Sequence, residues 1–309
     1  MTTQPSDIAI RQDTDPLLDL IAAKSFYYRR AKTIIGIQFC VSVLGSIAIA
    51  WVARHYEDWK VWTTCLALTI PILDALILDR LQSHYRTLGA RVQERFDRKL
   101  FKLDWNALGI PKKPGDEVVV HAAKAYRRHN PEMTGKKGWY SAEVDKLPIA
   151  YARLVCQDAS CSWDKTIRTA YRNGLWVVLL VTIGIIVAIA LVNNTGSRDL
   201  IVELYAPLAP AVLWIAKEII RQGTAIKALE ELHGKVEGLW EKANREQVDD
   251  TTLTDRSSLI QDRLYAGRAR NSLVFDWVNT LTRPRNQETM EARAKFLVSH
   301  SRHNAANAR

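Results

Sequence analysis

Four long apolar runs with almost no charge constrain this chain more than any other feature: residues 33–53, 61–78, 175–192 and 200–216. A bilayer core about 30 Å thick takes about 20 helical residues, within a range of about 17 to 25. Each run falls in that window. The connectors at 54–60 (RHYEDWK) and 193–199 (NNTGSRD) are short and charge-balanced, so the runs are expected to pair as two helical hairpins. The expected fold class is all-α: an integral membrane protein with four transmembrane helices in two hairpins and a cytoplasmic helical bundle.

Orientation follows from where Lys and Arg collect beside the spans. Arg29, Arg30 and Lys32 precede the first, Arg80 and Arg86 follow the second, Arg168 and Arg172 precede the third, and Lys217 and Arg221 follow the fourth. Both termini and the long middle segment are therefore expected on the cytoplasmic side of the membrane. The formal net charge of +10 over 309 residues sits almost wholly in those parts. It reads either as the topology bias itself or as added affinity for anionic lipid or a phosphate-bearing ligand. The first run starts too late and runs too long for a cleavable signal peptide.

Six segments are expected along the chain. Residues 1–32 carry an amphipathic stretch that starts at Asp15-Pro16 and leads into the first hairpin, 33–78. Residues 79–174 form a cytoplasmic helical domain: Leu81, Tyr85, Leu88, Val92 and Phe96 continue the second span as a helix to about Leu103. A Pro/Gly break at 106–117, a helix at 118–128, a loop at 130–138 and a helix from Pro148 into the third span follow. The second hairpin is 175–216. Residues 217–282 supply further cytoplasmic helices, with an acidic break at 247–258 before a last helix at 259–270. Residues 283–309 read as a polar, largely disordered tail.

The usual catalytic signatures are missing: no nucleophile elbow, no zinc-protease His pair, no phosphate-binding glycine loop. No enzymatic activity is expected. Cys156 and Cys161 have no second Cys or His pair at ligand spacing, so reduced structural thiols are expected and no metal. The sequon at Asn193-Asn194-Thr195 lies too close to the membrane to matter. Asp74 and Glu203 are acids inside apolar spans, where a carboxylate costs roughly 2.5 to 3.5 kcal/mol at a helix centre. They are either pore candidates or groups that reach the interface. Pro71, Pro207 and Pro210 interrupt backbone hydrogen bonding within spans. The third span is apolar nearly all round, which argues against a wide, permanently open channel.

Several short words recur in order around the spans: Arg11-Gln12; Gln93, Glu94, Phe96 and Asp97; Trp105; Trp139-Tyr140; Cys156-Gln157; Trp163-Asp164 with Arg168 and Tyr171; and Gln261-Asp262 with Arg268. In these, over most of its length, the chain resembles the SMODS-associating four-transmembrane effector family of CBASS anti-phage systems. The resemblance implies a pore-forming membrane effector that is silent until its cytoplasmic part senses a cyclic oligonucleotide. It also implies, as partners, the lipid bilayer, that second messenger and further copies of the chain, with no DNA or RNA polymer and no cofactor beyond the activating ligand. Trp105, Trp139, Trp163 and Tyr171 are either core aromatics or base-stacking platforms. Arg153, Arg168 and Arg172 are the ligand-binding candidates, or else positive-inside anchors. Asp97, Asp164 and Asp262 are candidate partners for such arginines. The alternative reading is a membrane scaffold that recruits a protein partner through its cytoplasmic bundle.

Overall fold

The computed structural model describes residues 4–192, 205–246 and 248–301. The regular structure among these residues is helical, with one isolated bridge between Pro5 and Pro148 and no strand among them. The chain divides into two compact units, 1–29 with 85–168 and 225–309, and 30–84 with 169–224.

The second unit contains the apolar runs. Helix α2 (Asp15–Phe39) continues through a π-helical turn at Cys40–Leu44 into α3 (Gly45–His55). A short connector leads to α4 (Lys60–Leu73), and a second π-helical turn at Asp74–Leu78 leads into α5 (Asp79–Phe101). The long helix α7 (Ile149–Val192) carries the third run. By length and composition three helices among the described residues can cross a membrane: Asp15–His55, Glu57–Phe101 and Ile149–Ile189. The first part of the fourth run, with Glu203 and the preceding connector and sequon, lies outside the described residues; the rest belongs to α8 (Ala206–Arg245).

Apolar side chains of this unit point away from the protein. Ile47, Leu66, Leu68, Ile72, Val177 and Leu180 are each at least half exposed, the reverse of a water-soluble domain. Only 11% of the most apolar window of the third helix is buried. Trp51, Tyr56, Trp59 and Trp62 cluster, exposed, around the connector of the first hairpin, as aromatic side chains do at a membrane interface. Inside the unit, Ala53 and Ala67 are small enough for close packing of α3 on α4, and Phe39 meets Trp214 edge to face at 5.5 Å. Pro71 and Pro210 sit inside helices, while Pro207 falls in the first turn of α8, where its missing N–H costs nothing.

The first unit has a conventional core. Leu17, Leu20, Ile21, Val92, Phe96, Leu100, Leu154, Val236, Leu253, Ile260 and Leu297 form one buried cluster, each side chain contributing roughly 1.5 to 3 kcal/mol by leaving water. Helix α1 (Ile8–Arg11) is tied down because Asp145 accepts from the Ala9 and Ile10 amides. Helix α5 stops at Phe101: Lys102 takes the left-handed conformation (φ 52°) and the Leu103 amide returns to the Arg98 carbonyl at 2.9 Å. Helix α6 (Asp116–Arg127) follows the Pro/Gly break, and the loop at 130–138 is pinned by the fully buried Met133.

Two sequence expectations fail here. The acidic segment 247–258 is no break: α9 (Asp250–Arg270) starts inside it, because the Asp249 side chain accepts from the Thr252 amide at 2.8 Å and caps the helix. The polar tail from 283 is instead helical, within α10 (Asp276–Ser299), and it buries Met290, Ala294, Leu297 and Val298. Its apolar stripe is thin among many charges, so tertiary burial rather than composition holds it. Residues 302–309 lie outside the described residues.

Candidate functional site

The recurrent polar words converge in the first unit as one buried network. Glu94, Asp97 and Arg98 come from one face of α5, Gln157 from α7, and Ser257, Gln261, Asp262 and Arg268 from α9. Glu94, Gln157, Ser257 and Gln261 are fully buried. Gln157 Nε2 donates to the Ser257 carbonyl (2.8 Å), and the Ser257 hydroxyl donates back to Gln157 Oε1 (3.2 Å). Gln261 Nε2 donates to Glu94 Oε2 (3.0 Å) and Asp97 Oδ2 (3.1 Å). Arg98 donates to Glu94 Oε1 (2.6 Å) and Asp262 Oδ1 (2.5 Å), Asn106 donates to Asp262 Oδ2 (2.7 Å), and Arg268 pairs with Asp97. A network this dry is stabilising only when its members are satisfied, because an orphaned buried group costs about 1 to 3 kcal/mol.

Burial, with Asp97 alongside, pushes the Glu94 carboxyl up to about 7 even though Gln261 and Arg98 donate to it. Burial likewise drives the Lys24 ammonium down to about 8, with Asp97 opposing and Arg268 and Lys136 adding to the fall. Lys24 Nζ stands 5.5 Å over the Phe96 ring. Tyr28 donates to Gln93 Oε1 at 3.0 Å in the same neighbourhood.

Of the sequence-derived ligand candidates, Arg153 and Arg168 are already committed. Arg153, 4% exposed, donates to the Phe101 and Lys102 carbonyls and to Thr254. Together with Arg11, which donates to the Lys99 and Leu100 carbonyls, it covers the open end of α5. Arg168 pairs with Asp164 at 3.0 Å and donates to the Ser272 carbonyl at 2.7 Å. Arg172, with its Nε buried and without a hydrogen-bond partner, belongs to the other unit, as does the buried Tyr171. Gln12 and Tyr140 exchange reciprocal bonds (3.0 and 2.8 Å), Trp139 and Trp163 rings meet at 4.6 Å, and Trp105 packs against the small Ala90, Ile110 and Tyr265 cluster. Cys156 and Cys161 are free, buried thiols, the second pushed up to about 12 by burial.

The second unit holds its own charge cluster. Asp74 is 7% exposed and accepts from Gln38 (2.5 Å), with Lys217 at 3.5 Å; Asp79 accepts from Lys217 (2.6 Å), Arg221 (3.0 Å) and Gln38 (3.1 Å). Two acids and two bases cancel in charge, and Gln38 of α2 brings a third helix to the cluster. Both π-helical turns adjoin the cluster, Cys40–Leu44 after Gln38 and Asp74–Leu78 around the acids; such turns concentrate at functional sites. In this structure Asp74 bridges helices, meeting Gln38 of α2 and Lys217 of α8. Sequence reasoning missed Asp79 and Gln38, whose meaning appears only once the spans pack; Lys217 and Arg221 were legible only as topology markers.

No solved structure matches this chain. A Bacillus cereus (strain VD146) protein described as a probable CBASS effector molecule is 19% identical over 287 residues, covering 91% of this chain and 94% of that protein. The SMODS-associating 4TM effector domain matches residues 6–297, which takes in both units and every word of the buried network. A match over nearly the whole length means that this chain belongs to the SMODS-associating 4TM effector family.

Proposed function

We propose that this chain is the membrane-permeabilising effector of a cyclic-oligonucleotide anti-phage system, with four spans in two hairpins and both termini in the cytoplasm. The first unit receives the nucleotide, and the second opens the inner membrane as a homo-oligomer. What carries the reading is the division of labour within one chain: a unit with a dry polar core, and a unit whose apolar faces turn outward around a neutral charge cluster. A ligand that moves the assembly from about 1:99 to 99:1 must bind the open state better by roughly 5.5 kcal/mol, and several subunits share that requirement.

With Arg153 and Arg168 engaged internally, the phosphate-recognising charge is assigned to Lys24, near Lys136. Burial and the neighbouring cations Arg268 and Lys136 disfavour the charge on the Lys24 ammonium, so an arriving anion would stabilise it. The test is dye release from liposomes reconstituted with the purified protein. Release rises on adding the cognate cyclic di- or trinucleotide, and Lys24→Met lowers nucleotide affinity at least about tenfold. Tight, nucleotide-independent liposomes across a panel of such nucleotides would falsify the reading. A scaffold, by contrast, keeps its partner binding and releases no dye under any condition.

A further inference from the structure

The first unit contains a second polar cluster, unconnected with the α5–α9 network. His233 and Glu237 lie one turn apart on α8 and face Asp158 on α7. His233 Nε2 is 2.9 Å from Asp158 Oδ1, its Nδ1 is 3.8 Å from Glu237 Oε2, and one donor atom from each residue lies within 4.8 Å of the others. Donors bound to one ion at about 2.0 to 2.2 Å stand roughly 3 Å apart. The Asp158 side chain is only 5% exposed. The imidazole Nε2 is closed to water and stands at ion-pair distance from the Asp158 carboxylate, so the donor atoms are already gathered in one place.

A cation already stands there, supplied by α10. Arg293 donates to both oxygens of Asp158 (2.6 and 2.9 Å) and to Glu237 (2.5 Å). Beside it lies a cavity of about 230 Å³, lined by Asp158, Glu237 and Arg293 together with Leu154, Trp240 and Phe296. That volume holds several waters, which an ion with three protein ligands needs to complete its shell.

We propose that Asp158, His233 and Glu237 form a binding site for a divalent cation of the zinc type, with Arg293 as its resident competitor, so that the ion and the Arg293 clamp on α10 exclude one another. One imidazole with two carboxylates suits zinc and its first-row neighbours; calcium and magnesium prefer all-oxygen shells. The guanidinium and the ion need the same carboxylate oxygens and repel each other, so ion binding releases the clamp that holds α10 to α7 and α8. Nothing here depends on the membrane being permeabilised.

The experiment uses the full-length protein in detergent, titrated with Co²⁺ by visible absorption and then competed with Zn²⁺, with amide hydrogen exchange read in α10. The wild type should bind one ion per chain and exchange faster in α10 when loaded. Arg293→Gln, which keeps all three ligands, should bind at least about tenfold more tightly, and His233→Ala should lose the absorption band. No binding by either the wild type or Arg293→Gln overturns the site. Retained binding in His233→Ala places the ion elsewhere and also overturns it. Equal affinity in the wild type and Arg293→Gln overturns the competition.

Discussion

Gln261 shows how a single side chain can hold a buried network together. Its amide reaches Glu94 and Asp97 on α5 while Gln157 contacts it from α7. Replacing it by Leu leaves two buried acids short of a donor, so Gln261→Leu should destabilise the first unit by about 1 to 3 kcal/mol, read from denaturant or thermal unfolding in detergent. Glu94 adds a pH dependence. Its folded value near 7 lies above the ordinary 4.5, so the folded protein holds that proton more tightly than the unfolded chain does. The resulting stabilisation is complete below about pH 4.5 and is lost as pH rises through about 7. The melting temperature should therefore fall between pH 5 and pH 8, and Glu94→Gln should flatten that slope; an unchanged slope in the variant assigns the effect to another group. At this scale the sequence was only half informative. It marked Glu94, Asp97, Gln157 and Gln261 as recurrent, yet no spacing tells that an acid on α5 meets an amide more than 160 residues later.

At the scale of elements, helix ends and helix interfaces decide behaviour. Helix α5 ends where Lys102 turns left-handed and Arg11 and Arg153 cover its last carbonyls, so that Arg153, a ligand-binding candidate or anchor by sequence, donates inward in this structure. In the second unit, Asp79 ties Lys217 and Arg221 of α8 to the start of α5 and shares Gln38 of α2 with Asp74. If this cluster holds the resting arrangement, Asp79→Asn leaves two cations facing Asp74 alone, and reconstituted liposomes should leak without nucleotide. A variant as silent as the wild type until ligand arrives would remove the cluster from the gate. The apolar runs and the stripe along α5 were readable because helical periodicity is local. The start of α9 and the whole of α10 were not. An acidic N-cap resembles a polar break until the first turn forms above it, and a helix held by only a few buried residues among charges looks like tail.

For the whole molecule, the sequence by itself determined the solvent of each part. Apolar runs of bilayer length with short, charge-balanced connectors admit no stable exposure to water, and that hydropathy is a sum over neighbours along the chain. It also determined the all-helical class, since the backbone polar groups of such runs must be satisfied within the segment. Tertiary structure alone decided which charges are free and which are spoken for. Arg153 and Arg168 became internal partners, Asp74 and Asp79 became one cluster with Lys217, and Asp158 met His233, Glu237 and Arg293. Ion pairs of this kind join residues as far as 171 positions apart, as in Asp97 with Arg268. An ion pair depends on distances of a few ångströms, which are set by helix packing and leave no periodic trace in the order of residues.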